Sequence, residues 1–260
     1  MTWQLMCMVF GGLACLVSAG EEYTSSTAHV IYALPADSTY SARHATAIGY
    51  AALDVQEWYR DQLGDTFEVP FTSPKRCDLQ HDAAYYAGVG GYGRVIADVQ
   101  HCAPVAYFDQ WESWVIYIDV AVPCDSQEAF ELGAGTAGIA ILHGGDIRGL
   151  VHADPYRPCE GWPAHSSPRW IGGLAHELGH AFGLGHPHGC DASPHTCEDG
   201  SVMWVGMYDY PATSLSEDDK AYMREFFRDP IMRCELYGYE DWCAERYQLV
   251  YVNHFCRLRQ

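Results

Sequence analysis

Apolar and polar positions recur at two periods along the first two thirds of the chain, one suited to strands and one to helices. His29 to Leu34 (HVIYAL) is a compact run of strand formers stopped by Pro35, and it predicts a first strand. From Ser41 to Leu63 the apolar residues Ala45, Ile48, Ala52, Val55 and Tyr59 return every three or four positions, and Gly64 follows as a stop signal. That pattern predicts a long amphipathic helix. Thr66 to Phe71 is a candidate strand, Asp82 to Val99 a helix interrupted by glycines, and Trp114 to Val122 (WVIYIDVAV) a strand rich in β-branched residues. Gly138 to Leu142 and Ile147 to Val151 read as two strand pieces around a Gly144-Gly145 turn. Strands alternating with helices predict an α/β domain, its sheet mostly parallel and flanked by helices, with the later chain less regular.

The amino terminus does not fit this alternation. MTWQLMCMVFGGLACLVSA has no charged side chain, is apolar from Leu5 to Val17, and places Val17 and Ala19 where signal peptidase reads small residues. Residues 1–19 are therefore expected to be a secretory signal. A membrane anchor is the alternative, but the run is shorter than the roughly 20 residues of a spanning helix. With no repeat, low-complexity tract or linker, residues 20–260 are expected to form one catalytic domain. The stretch from Gly20 to Ala28 leaves no room for a conventional propeptide.

Composition narrows the partners. Of 260 residues 48% are hydrophobic, which supports a real core, while 34 acidic against 15 basic residues give a net charge of −19. A surface so negative repels phosphate, so neither nucleic acid nor an anionic membrane is an expected partner. Of 11 cysteines, Cys7 and Cys15 lie in the leader and nine follow it, with no Cys-x-x-Cys pair among those nine. Dispersed cysteines in an exported chain indicate disulfides and a secreted, extracellular location. Cys190 with Cys197 and Cys234 with Cys243 are the closest neighbours and the first candidate pairs; an odd count leaves one thiol with another role.

The chemistry is concentrated after Pro168, in RWIGGLAHELGHAFGLGH. On a helix His176 and His180 lie one turn apart on the same face, so both imidazoles can reach one ion, with Glu177 beside them. Gly183 can take a positive φ, end the helix and turn the chain so that His186 supplies a third ligand. Three protein nitrogens leave one tetrahedral position open, as in catalytic zinc sites. Three His, one Glu and one Gly at fixed offsets make chance a poor explanation, though a purely structural metal site stays open as an alternative.

His176-Glu177-x-x-His180-x-x-Gly183-x-x-His186, followed by Ser201-Val202-Met203-Trp204, resembles the metzincin clan of zinc metallopeptidases and its Met-turn. The resemblance covers residues 176 to 203. It implies a metzincin-like α/β (α+β) domain, with an active-site helix and an irregular, disulfide-held carboxy-terminal half. It also implies a Zn2+ ion held by His176, His180 and His186, Met203 as the floor beneath them, Glu177 as general base, and a protein or peptide substrate cut as an endopeptidase cuts it. Ile139 to His143 is a candidate for the edge strand along which that clan lays its substrate; an ordinary buried strand is the alternative. Trp204 and Val205 depart from the His or Tyr that follows this methionine in astacins, which argues against a tyrosine ligand, although Tyr208 or Tyr210 could lean toward the site. Pro187 matches the Ser of matrixins, the Asp of adamalysins and the Glu of astacins equally poorly, so no subfamily is assigned. Pro74 to Asp78 loosely echoes a matrixin cysteine switch, with a disulfide at Cys77 as the alternative. His143, Asp146, His152, Asp154 and His165 have the ligand types of a second metal site without its fixed spacing. A binding module that keeps fold and zinc but not catalysis is the rival from another class; its mark, a replaced Glu177 or ligand histidine, is absent.

Overall fold

The computed structural model describes residues 26–107, 112–121, 132–161, 163–190, 197 and 200–228, together with a two-residue antiparallel pairing of Met6–Cys7 with Cys15–Leu16. Thr27–Leu34 forms β1, the strand expected around HVIYAL. Its period-two pattern sends Val30, Tyr32 and Leu34 to one face and Ile31 and Ala33 to the other, and both faces are buried. Lys75–Asp78 (β2) and Glu112–Ile118 (β3) pair with it in parallel on either side. Ile139–Leu142 (β5) continues in parallel beyond β3, and Ala134–Thr136 (β4) closes the sheet antiparallel to β5, giving the order β2-β1-β3-β5-β4. Ala137 and Gly138, both at positive φ, join β4 to β5 in the two-residue turn that suits a tight hairpin.

Helix α1, Ala42–Leu63, follows the apolar spacing read from the sequence and buries Ala45, Ile48, Ala52, Val55 and Tyr59. Ser41 caps its start by accepting from the His44 amide at 3.2 Å, and Gly64 ends it in the left-handed conformation at φ 74°. Helices α2 (Ala83–Tyr86) and α3 (Gly91–Val99) cover the opposite face of the sheet; the expected single helix over this span breaks where Gly90 adopts φ 79°. Next come α4 (Gly144–Val151), α5 (Ser167–Ala181), a 3-10 turn at Val205–Asp209 and α6 (Glu217–Arg228). Ser216 caps α6 by accepting from the Asp219 amide, as the acidic first turn suggested.

Three expectations are corrected. Thr66 to Phe71 is not a strand: Glu68 makes a single bridge to Thr27, through its amide to Ser26 at 2.6 Å and its carbonyl from Ala28 at 2.7 Å. The sheet gains β2 instead, in which Cys77 is the one buried residue. Ile147 to Val151 is helical, because His143 and Asp146 form a capping box that starts α4: His143 Nδ1 accepts from the Gly145 amide at 3.0 Å and Asp146 from the His143 amide at 3.2 Å. Ile139 to His143 is not the sheet edge, since β4 lies outside it and Ile139–Leu142 is wholly buried.

Cys77 is bridged to Cys102, tying β2 to the end of α3, so the cysteine-switch reading of Pro74 to Asp78 fails on a side chain already used. Cys190 pairs with Cys197 as its spacing suggested, and Cys159 is also disulfide-bonded. Cys234 and Cys243 lie outside the described residues. Among the described residues no helix is long and apolar enough to cross a membrane.

The α5 side of the sheet holds the larger core, in which Tyr59, Phe67 and Phe182 pack with ring centroids 5.3 to 5.9 Å apart. There α4 crosses α5 so closely that a β-carbon on Gly149 would collide with the Trp170 indole, whereas one on Gly93, in α3, would meet open space. Gly149→Ala should therefore overpack the crossing, by about 1–3 kcal/mol, and lower Tm by several degrees. Gly93→Ala should raise Tm by removing backbone freedom from the unfolded chain. Thermal melts of the two variants check both signs.

Candidate metal centre

The sequence GLAHELGHAFGLGH makes a helix that must stop at one exact place. At the end of α5 the Leu184 amide bonds back to the Gly179 carbonyl at 3.0 Å and the Gly183 amide to the His180 carbonyl at 3.0 Å, with Gly183 at φ 97°. This is a glycine-centred Schellman stop, a backbone state open to a residue without a β-carbon. It turns the chain back so that His186 meets His176 and His180, all three ring nitrogens lying within 4.8 Å of one another.

The outer nitrogens fix the inner ones. His176 Nδ1 lies 2.8 Å from the Val202 carbonyl and His180 Nδ1 2.8 Å from the Leu184 carbonyl. A carbonyl only accepts, so each Nδ1 carries the proton and each Nε2 a bare lone pair. Those lone pairs face each other: His180 Nε2 is 3.1 Å from His176 Nε2 and 3.2 Å from His186 Nε2. Metal–nitrogen bonds of about 2.0–2.1 Å in a tetrahedral array separate their nitrogens by about 3.3 Å. The donor set thus fits a divalent ion, and the contact between unprotonated nitrogens makes sense with a cation between them. Burial above all holds His176 down at about 3, so it stays neutral and able to ligate.

Beneath the histidines, Met203 is fully buried, and its sulfur lies so close to Gly179 that a β-carbon there would collide with it. The turn that delivers it is pinned by Met203 N donating to Ser201 Oγ at 3.1 Å and Val202 N to the Ser214 carbonyl at 2.9 Å. Tyr59, from α1, supports the helix from behind through its hydroxyl to the Ala175 carbonyl at 3.0 Å. Trp204 packs edge-on against His186 at 4.9 Å. Tyr210 is turned away and bonds Asp54, while Tyr208 stacks against His165 at 5.1 Å.

Glu177 directly follows His176 on α5. Burial pushes its carboxyl up to about 8, assisted by the charge of Asp146 and opposed by a hydrogen bond from the Gly135 backbone and by Arg169. Gly135 belongs to β4, and a β-carbon there would collide with the Glu177 carbonyl, so the edge strand rests directly on the helix at Glu177. The sequence offered little sign of β4, three small residues with Thr136 as the one strand former; the repeated glycines of Gly133-Ala134-Gly135 were the available signal.

The five residues considered for a second metal do not gather. His143 and Asp146 cap α4, the His152 ring packs on Tyr156 at 5.1 Å, and His165 packs on Tyr208. Among the described residues the other cluster with ligand spacing is Cys77, His101 and Cys102, and its two sulfurs form a disulfide.

The raised Glu177 carboxyl has a sign that can be tested in metal-stripped protein. The folded chain retains a proton there that the unfolded chain releases above about pH 4.5, so folded stability falls as pH rises from 4.5 toward 8. Glu177→Gln removes that liability. Its Tm should match wild type near pH 4.5 and exceed it by several degrees at pH 8 to 9, at about 2–4 °C per kcal/mol for a chain of this size. Calorimetry across that range checks the divergence.

No protein-family model and no curated protein matches the chain. Among solved structures it is similar to wild-type OgpA from Akkermansia muciniphila, with a TM-score of 0.53 at 18% identity over 81% of this chain and 64% of OgpA. The catalytically inactive OgpA in complex with an O-glycopeptide substrate, glycodrosocin, aligns with a TM-score of 0.50 at 17% identity over 78% and 60%. Archaemetzincin from Methanopyrus kandleri gives 0.46 at 15% identity over 82% of this chain and 100% of that one. The chain spans 64% of the length of OgpA. Its fold is a mixed α/β fold shared with OgpA, a mostly parallel five-stranded sheet with helix α5 packed against the antiparallel edge.

Proposed function

We propose that the chain is a secreted zinc-dependent endopeptidase, with residues 1–19 as its signal and 20–260 as one catalytic domain. The observation that carries this reading is the set of unprotonated nitrogens on His176 and His180, facing each other and His186 next to a desolvated carboxyl. His176, His180 and His186 would hold zinc. Bound there, zinc supplies the Lewis acidity that activates water and polarises the scissile carbonyl. Glu177 takes the proton from the attacking water and passes it to the leaving amine; a cation beside it favours the ionised carboxylate that this task needs. The β4 edge receives an extended peptide by main-chain hydrogen bonds, and its contact with α5 at Gly135 sets that peptide against Glu177. Disulfides within the described residues fit an oxidising, extracellular compartment. The bound substrate of OgpA is an O-glycopeptide, so glycosylated peptides belong beside plain ones in the assay.

The decisive variant is Glu177→Gln. General-base contributions are about 10² to 10⁴-fold, and a group that moves two protons belongs at the upper end, so peptide cleavage should fall at least that far while zinc content stays at one per chain. His180→Ala should lose zinc as well as activity. A Glu177→Gln protein that keeps zinc and more than a tenth of wild-type kcat/KM would refute the assignment. A zinc-loaded wild type inert on all peptides would favour a non-proteolytic binding module.

A further inference from the structure

Helix α5 carries one charged side chain that the proposed reaction leaves unused. Arg169, Gly173 and Glu177 succeed one another at four-residue spacing, on one face of the helix. The Arg169 side chain runs forward along that face: a β-carbon on Gly173 would lie 2.7 Å from Arg169 Nη1. A bare position at 173 lets the guanidinium lie one helical turn, about 5.4 Å of rise, before Glu177. The head is clamped between two rings, its central carbon 5.0 Å from the Trp170 centroid and 4.5 Å from that of Tyr208. Trp170 is buried and Tyr208 is 43% exposed, so the clamp has one fixed wall and one at the surface.

Arg169 Nε and Nη1 are closed off from solvent without a hydrogen-bond partner among the described residues. Asp146 comes near, its Oδ1 3.8 Å from the same Gly173 position, but its hydrogen bond is with the His143 amide in the α4 cap. Enclosed donors without partners are rare and costly, and acidic groups outnumber basic ones 34 to 15 in this chain. An unmatched guanidinium here calls for a partner from outside.

We infer that Arg169, held by Trp170 and Tyr208 one turn before Glu177, is a carboxylate-binding subsite that selects peptides with an acidic residue beside the scissile bond. This rests on the peptidase reading above. A guanidinium is the side chain best matched to a carboxylate, and ring stacking orients its fork before the ligand arrives. Tyr208 is the movable part of the clamp, and its displacement by substrate would open the enclosed donors.

The test pairs peptides that differ by Glu against Gln at each position flanking the cleavage site. At one position wild type should prefer Glu by about 10- to 100-fold in kcat/KM, mostly through KM, and less at high salt. Arg169→Gln should abolish the preference, bringing the ratio of kcat/KM for Glu and Gln peptides to about 1 whatever the absolute rate; Arg169→Lys, a point charge without the fork, should keep part of it. Binding of a fluorescein-labelled Glu peptide to Glu177→Gln protein, read by polarisation, should show the same dependence on Arg169 without turnover. If wild type treats Glu and Gln peptides alike, the subsite is refuted while the peptidase reading stands. If Arg169→Gln lowers Tm but leaves the Glu/Gln ratio intact, Arg169 is a counter-charge to Asp146 and Glu177, and the subsite again falls. Charge-selective, Arg169-dependent binding without any cleavage would uphold the subsite and overturn the peptidase reading.

Discussion

Two unprotonated imidazole nitrogens 3.1 Å apart repel one another, and the surroundings of α5 are arranged to keep them there. The carbonyls of Val202 and Leu184 draw the protons to the far side of each ring. The Gly183 stop both presents the Leu184 carbonyl and returns His186 to the same point, so one backbone event serves two ligands. Met203 and Tyr59 fill the space behind the helix, and the Cys190–Cys197 bridge closes the loop that leaves the third histidine. A preformed site of this kind loses little ordering freedom when its ion arrives.

The glycines of α5 explain how neighbours come so near. Gly172 faces the Met207 carbonyl, Gly173 the Arg169 guanidinium and Gly179 the Met203 sulfur, each closer than a β-carbon permits. Glycine inside a helix costs about 0.5–1 kcal/mol relative to alanine, so this helix owes its stability to packing rather than propensity. The cost falls on the face where chemistry needs close approach. Gly135 does the same from the sheet side, bringing β4 down onto the Glu177 turn of α5.

What was legible in the sequence was what has a period or a fixed offset. The α1 face, the two-sided burial of β1 and β3, the Ser216 cap and the histidine constellation all belong to that class. The failures have physical reasons. In β2, KRCD buries Cys77 alone and is held by pairing with β1 and a disulfide, neither of which leaves a hydrophobic pattern. The start of α4 depends on a histidine as cap acceptor, and the β-branched look of its sequence concealed a helix. The edge strand β4 is made of small residues chosen for contact with Glu177 rather than for strand propensity. Arg169 belongs to no motif; its meaning lies in two enclosed nitrogens without a hydrogen-bond partner among the described residues.

The ligands and their supports also differ from the sheet in sequence distance. His176, His180, His186 and Val202 lie within 202 − 176 = 26 positions, whereas β1 meets β3 through pairs such as Thr27 with Glu112, 112 − 27 = 85 positions apart. Closing the shorter span costs less chain entropy, and local contacts form faster than parallel strand pairs. The metal centre is therefore expected to assemble early, on a chain whose sheet is still open. An ion captured at that stage would act as a folding nucleus, so that metal supply while the chain folds would govern how much folded protein forms.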